Sequence, residues 1–149
     1  MMLMLKRVGL MCFFALNVVL VLAQAPGTVF PSGTFGVDYN AFNSKNKREG
    51  EWIRVYKSNP KVMYYRGAFL NGVPIGVFEF YNEKGYLKST VNHIQDTTIN
   101  DVVNFYADGK TVNSKGRYVG KKVGKTWERQ KQGLWEFFDA DGRLIRFEN

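Results

Sequence analysis

The chain contains 149 residues, of which 21 are Lys or Arg and 13 are Asp or Glu, so its formal net charge at neutral pH is +8. This length suits a single domain. There is one cysteine, Cys12, and one histidine, His93. These counts exclude a disulfide framework within the chain and a metal centre built from several histidine or thiolate ligands. We expect no cofactor and no metal.

The first 23 residues have the layout of a secretory signal peptide. Lys6 and Arg7 precede an apolar core at residues 8–21, and small residues follow it. The core is shorter than the roughly 20 residues of a membrane-spanning helix. We therefore expect cleavage after Ala23 and export to the periplasm, the outer membrane or the exterior; an uncleaved anchor is the alternative. Export argues against a nucleic-acid partner and favours an acidic protein or an anionic envelope surface.

Residues 24–39 are rich in proline and glycine and are predicted to form an N-terminal arm, with one short strand at 34–39. The repeat domain is predicted at 40–149, where strand and turn signals alternate and no helical periodicity is sustained. The fold class predicted is all-β, an antiparallel meander. Its strands are predicted at 52–56, 62–65, 68–70, 77–81, 86–93, 102–106, 110–113, 117–119, 135–138 and 144–147, with a polar loop at 95–100.

One short pattern recurs along this domain: a glycine, a strand that ends in two aromatic residues, a glycine turn and a new strand. The clearest copies run over residues 76–87 and 133–144; a weaker copy starts at Asp101, and Gly50 opens a fourth. Such a pattern indicates a repeat protein whose hairpins stack to bury their apolar faces. The defining positions are Gly50, Trp52, Gly76, Phe78, Phe80, Tyr81, Gly85, Tyr106, Gly109, Gly133, Trp135, Phe137 and Gly142.

Strand alternation assigns these residues to two faces. Phe78 and Phe80 share one face, as do Trp135 and Phe137 in the last copy. The same register in two units predicts a ladder of rings that pack between neighbouring hairpins. The glycines are predicted to keep the turns tight at positive φ.

No constellation of catalytic residues is recognisable. Glu51, Glu79 and Glu136 occupy similar places in their units, which favours a row on the solvated face, matched by Lys and Arg on adjacent strands, over a catalytic pair of carboxylates. His93 has no partner ligand and is predicted to be a partly exposed strand residue. No serine lies in a nucleophile elbow. We predict that the protein is not an enzyme.

Residues 47–56, 65–87, 104–109, 116–124 and 133–144 resemble the MORN-repeat variant of bacterial YwqK-type proteins, the antitoxin components of toxin–antitoxin systems. Once the predicted signal peptide with Cys12 is removed, the exported chain has no cysteine. In this respect it is similar to the proteins of the Bacteroidetes group. The resemblance implies an extended, twisted sheet of hairpins and an antitoxin-like role. Asp101 replaces the glycine of the third unit and Pro60 enters the first turn, so these units are expected to be less regular.

The stretch at 115–131 is strongly basic, and residues 125–132 look like an insertion ahead of the last unit. The candidate binding residues are Lys121, Lys122, Lys125, Trp127 and Arg129. They could bind an acidic protein, anionic lipid headgroups or an acidic glycan; a merely solvated insertion is the alternative.

These observations favour a non-enzymatic, exported repeat scaffold that binds a protein in the cell envelope. Two alternatives stay open: an antitoxin-like partner that neutralises a toxin, and a module that binds the membrane surface or another anionic ligand.

Overall fold

The computed structural model describes residues 38–95, 97–124 and 126–149. The predicted signal peptide and nearly all of the predicted N-terminal arm lie outside the described residues. Of the strand expected at 34–39, only Asp38 and Tyr39 are described, and neither belongs to a strand.

The described residues form one antiparallel sheet of nine strands, and each strand pairs with the next one along the chain. No helix occurs in this part of the chain, and β9 does not pair with β1, so the sheet stays open and extended. The predicted all-β antiparallel meander is confirmed. The strands are β1 Ala41–Phe42, β2 Arg48–Val55, β3 Met63–Leu70, β4 Val73–Tyr81, β5 Leu87–His93, β6 Ile99–Phe105, β7 Val112–Val123, β8 Thr126–Phe138 and β9 Leu144–Glu148.

The strand bounds differ from the prediction where glycine or polar residues lie inside a strand. The pieces expected at 62–65 and 68–70 form one strand, β3, and those at 110–113 and 117–119 form one strand, β7. Strand β6 begins at Ile99, inside the expected polar loop. The short strand β1 was not predicted. Local composition misses these cases because backbone pairing with a neighbouring strand decides them.

One face of the sheet carries the core. Its buried residues come from five different strands: Phe69, Phe78, Val91, Val102 and Trp135. Substantial contacts join only strands that are adjacent in sequence, which is the contact pattern of a repeat protein. The buried face is therefore assembled in steps, one strand on the next.

The predicted aromatic ladder exists in two separate runs. In the first, the ring centroids of Trp52 and Phe69 are 5.8 Å apart and those of Phe69 and Phe78 are 5.3 Å apart. In the second, Tyr118 packs edge-on against Trp135 at 4.8 Å. Valines of β5 and β6 fill the core between the two runs. The third unit has valine where the other units have a ring, and this interrupts the ladder.

Two glycines provide the space for the largest rings. A Cβ atom at Gly67 would lie less than 3.0 Å from ring atoms of Phe78, and one at Gly116 would lie equally close to Trp135. Neither glycine has a positive φ, so the close approach of the ring is the reason for glycine at these positions. This role of the two glycines was not predicted, although an isolated glycine within a strand is a known signal for such an approach.

The glycines that open the repeat units do not form turns, which corrects the sequence interpretation. Gly76 and Gly133 lie inside β4 and β8 with φ of 65° and 64°. At both places the register against the preceding strand shifts, so each glycine belongs to a β-bulge. Positive φ is accessible to glycine without a steric penalty. In the unit with Asp101 at this position, β5 and β6 pair in unbroken register.

The hairpin turns share a device that sequence analysis did not recognise. The Oδ1 atom of Asn82 accepts hydrogen bonds from the backbone N–H groups of Lys84 and Tyr86. The Oδ1 atom of Asp139 does the same for Asp141 and Arg143. These Asx turns bend the chain immediately before the return strand. The first turn contains Pro60 and is longer, since it is closed by a hydrogen bond from the N–H of Tyr56 to the carbonyl of Val62.

The opposite face of the sheet carries ion pairs between neighbouring strands. Arg66 Nε lies 2.7 Å from Glu79 Oε2, and Lys115 Nζ lies 2.8 Å from Glu136 Oε2. The predicted matching of Glu79 and Glu136 with cations on adjacent strands is thus observed. Such half-exposed pairs contribute little stability, about 1 kcal/mol at most. Their arrangement places these two carboxylates in structural ion pairs.

Candidate functional site

The hairpin of β7 and β8 extends past its neighbours at its tip. The ladder of β6 with β7 ends at the pair Ile99 and Val119, and β9 pairs only with the end of β8 that follows Leu134. Residues 121–124 and 126–129 therefore form a two-stranded arm, and no other described strand flanks it. Lys125, at the tip of this arm, lies outside the described residues. We call residues 121–129 the hairpin arm.

The arm arises from residues inserted symmetrically into one hairpin. In the β3–β4 hairpin, the turn at Asn71 follows four residues after Gly67; in the β7–β8 hairpin, the turn at Gly124 follows eight residues after Gly116. The insertion expected at 125–132 is therefore half of an enlarged hairpin. Its residues are paired along their length, with Arg117 opposite Gln132 and Val123 opposite Thr126.

The candidate cations of the arm divide between the two faces of the ribbon. Lys122 and Arg129 alternate in register with Tyr118, on the side of the aromatic face. Lys121 lies on the other side, with Glu128 as its direct partner across the hairpin. Lys121 is therefore separated by the ribbon from Lys122 and Arg129. The backbone of Trp127 pairs with Lys122; its side chain and Lys125 are outside the described part of the chain.

The cations of the arm differ from those at its base in their pairing. At the base, Lys115 and Arg117 form ion pairs, and Lys131 Nζ lies 2.9 Å from Glu148 Oε2. Lys131 also lies over the ring of Trp135, 4.9 Å from its centroid. Among the described residues, Lys121, Lys122 and Arg129 form no ion pair within 4.0 Å. These three side chains keep their charge available for a ligand.

A cleft of about 630 Å³ opens where the arm leaves the sheet. The base of the arm, the turn between β5 and β6 and the beginning of β4 form its walls. Its lining includes both apolar and polar side chains. The lining residues are Val73, Pro74, His93, Ile94, Gln95, Thr97, Thr98, Asn100, Gly120, Glu128 and Arg129. Sequence analysis did not find this cleft, because its walls come from segments that are distant in the chain.

His93 lies half-buried at the inner end of the cleft, as expected of a partly exposed strand residue. Its ring packs edge-on against Phe78, with 4.9 Å between centroids. Burial lowers the pKa of His93 below its ordinary value of 6.5; a hydrogen bond with Asn100 raises it, and the positive charge of Arg129 lowers it again. The imidazole is therefore neutral at neutral pH and contributes hydrogen bonds and surface, not charge.

This pKa shift predicts a small loss of stability in mild acid. Because the pKa is lower in the folded chain, the unfolded chain binds more protons as the pH falls through about 6.5. The contribution of His93 to the free energy of unfolding is thus complete above that pH and is lost below it. Urea midpoints at about pH 7.5 and pH 5.5 should fall less in His93→Asn than in the unmodified protein. Equal falls in the two proteins would contradict the assignment.

The described residues contain no group of three or more His, Cys, Asp and Glu side chains that could hold a metal ion. In the same part of the chain, no helix is long and apolar enough to cross a membrane.

Comparison of the chain with protein-family models, with curated proteins and with solved structures found no match in any of the three. The resemblance to the MORN-repeat variant therefore stays a prediction that rests on the residues themselves.

Proposed function

We propose that the protein is a non-enzymatic, exported repeat scaffold whose hairpin arm binds an acidic partner protein in the cell envelope. The observation that carries this proposal is the arm itself. It extends beyond the sheet and holds Lys121, Lys122 and Arg129 without ion pairs within the described residues. None of the described side chains of the arm belongs to the core of the sheet.

The aromatic residues have a structural role in this proposal. The main rings are not available to a partner, since Trp135 is 2 % exposed and Phe78 is 4 % exposed. Recognition would instead combine charge with backbone pairing. A free strand edge can accept an extended segment of a partner, with main-chain hydrogen bonds providing affinity and nearby charges providing specificity.

The arrangement of charge favours a protein over a membrane surface. A flat anionic surface meets one side of a ribbon, whereas the unpaired cations of the arm lie on both sides, with Glu128 beside Lys121. A partner protein that encloses the arm can contact both sides at once. An antitoxin-like function is the narrower form of the same proposal, in which the enclosed arm binds a toxin; the resemblance to YwqK-type proteins supports it.

The proposal predicts that charge reversal on the arm abolishes capture of the partner. The tagged protein and a Lys121→Glu, Lys122→Glu, Arg129→Glu variant would each be incubated with an envelope fraction from the source cells at low and at moderate salt. Bound proteins are then identified by mass spectrometry. We expect one partner with an acidic surface, retained at moderate salt by the unmodified protein and reduced at least about tenfold with the variant, because buried interfacial charges resist screening.

A matched control separates the arm from net charge. Lys57→Glu, Lys61→Glu and Lys84→Glu change the charge equally at exposed turn positions. The control should capture the partner normally. Equal loss in both variants, or equal retention, would contradict the role of the arm. Binding to anionic vesicles alone, with loss at moderate salt, would favour the membrane-surface alternative. Toxicity of the captured protein when it is expressed alone would narrow the function to that of an antitoxin.

A further inference from the structure

Among the described strands, β9 is an edge of the sheet and has an apolar surface. Within the described residues it pairs only with β8. Three of its five residues are large, apolar and exposed: Leu144 at 46 %, Ile145 at 60 % and Phe147 at 55 %. Edge strands are commonly protected by proline, by charged side chains or by a covering segment. Strand β9 has no proline, and its two charged residues, Arg146 and Glu148, both lie on the face beside the aromatic core.

The equivalent strand of another repeat unit, β5, has a neighbour on its outer side. Strand β5 follows the turn at Asn82 as β9 follows the equivalent turn at Asp139. The outer side of β5 is paired along its length with β6. The outer side of β9 is thus the place at which another strand would join the sheet.

The face of β9 that lies beside the aromatic core is already covered. The guanidinium carbon of Arg146 lies 4.3 Å from the centroid of the Phe137 ring, and Arg146 Nη2 lies 2.9 Å from Glu148 Oε1. This polar pair covers the end of the core. The surfaces of β9 that lack a partner among the described residues are therefore its outer edge and its opposite face, where Phe147 lies beside Glu136.

The order of the charged residues in β9 favours a second copy of the same strand as its partner. In an antiparallel pair of two β9 strands with Phe147 opposite Phe147, Arg146 of each copy faces Glu148 of the other. Opposite charges in direct cross-strand positions are favourable and like charges are not. If the pair were centred one residue earlier, Arg146 would face Arg146. The sequence of β9 is therefore self-complementary in one register, as an isologous twofold contact requires.

We infer that two copies of this chain associate through β9, antiparallel and edge to edge, with Phe147 on the twofold axis. The two sheets then form one continuous sheet across the dimer. Both hairpin arms stay outside the pairing, because β9 pairs only with the part of β8 that follows Leu134. This inference is independent of the proposed function, since a monomer could also bind a partner through the arm.

Sedimentation equilibrium over a range of concentrations tests the association. The protein purified from cells that express the full sequence should be a dimer. Phe147→Lys should raise the dissociation constant at least about tenfold, since a lysine on an edge opposes pairing. Val77→Lys is the matched control, because Val77 is 55 % exposed in the interior strand β4. A monomer at all concentrations, open polymers, or a dimer unaffected by Phe147→Lys would overturn the inference.

Two further variants test the register. Arg146→Glu should weaken the dimer, because it brings two carboxylates together across the axis, and Arg146→Gln should weaken it less. In a Cys12→Ala background with oxidised glutathione, Phe147→Cys should give a disulfide-linked dimer readily and Ile145→Cys should not. Preferential cross-linking through Ile145→Cys would overturn the register. Far-UV circular dichroism and urea midpoints confirm that each variant is folded.

Discussion

Replacement of Trp135 by alanine is expected to lower the free energy of unfolding by about 3–5 kcal/mol. The indole is the largest fully buried side chain among the described residues, at 2 % exposure. Its Nε1–H donates to the carbonyl of Arg117 at 3.2 Å, and its ring contacts Tyr118 and Lys131. Within the described residues the core is a single sheet face with no second layer, so the neighbouring side chains can fill only part of the cavity.

The measurement is urea unfolding, followed by circular dichroism. Leu134→Ala is the matched control, because Leu134 precedes Trp135 in β8 and is 52 % exposed. It should cost less than about 1 kcal/mol, as expected of a surface substitution. Folded domains are stable by only about 5–15 kcal/mol, so the tryptophan variant could be partly unfolded without denaturant. Similar costs for the two variants would mean that β8 does not depend on the buried ring.

Gly116→Ala is expected to cost about 1–3 kcal/mol, although it adds only one methyl group. The new Cβ would lie less than 3.0 Å from three ring atoms of Trp135, so the ring or the strand must move. The same substitution at Gly67 would push against Phe78 and should have a similar cost. Both effects are steric, since neither glycine has a positive φ.

A double-mutant cycle isolates this steric effect. In the Trp135→Ala background the ring is absent, so Gly116→Ala should cost little or become slightly favourable, because alanine has lower backbone entropy than glycine in the unfolded chain. If the cost stayed the same with and without the indole, backbone geometry at Gly116 would explain it instead. Urea midpoints of the four proteins provide the complete test.

The sequence predicted the all-β meander because its signals are local. Hairpin turns and two-residue alternation depend on neighbouring residues, and the recurring aromatic positions confirm one another. The pairing of Glu79 with a cation was predictable for the same reason. Ladders in a meander join strands that follow each other, so a carboxylate on one strand meets the cation of the strand before it, as with Arg66.

The missed features depend on register and on distant segments. The ring of Phe78 packs directly on Gly67 because a β-bulge shifts the register between β3 and β4 at this position. From its composition, the basic stretch was interpreted as one candidate site. In the structure, Lys131 forms an ion pair with Glu148 and packs on the ring of Trp135. Lys121 and Lys122 lie on opposite sides of the ribbon. Composition reports how many charges a segment has, whereas pairing decides which of them are free.

The meander topology has a consequence for the rate of folding. Since substantial contacts join only strands adjacent in sequence, none of the described strand pairs has to wait for a distant segment of the chain. Proteins with such local contacts have a low contact order and fold faster than sandwiches and other β proteins with distant pairings. Each hairpin can serve as a nucleus on which the next strand is added. If the chain is exported unfolded, as its predicted signal peptide implies, it would thus fold progressively, starting from whichever hairpin forms first.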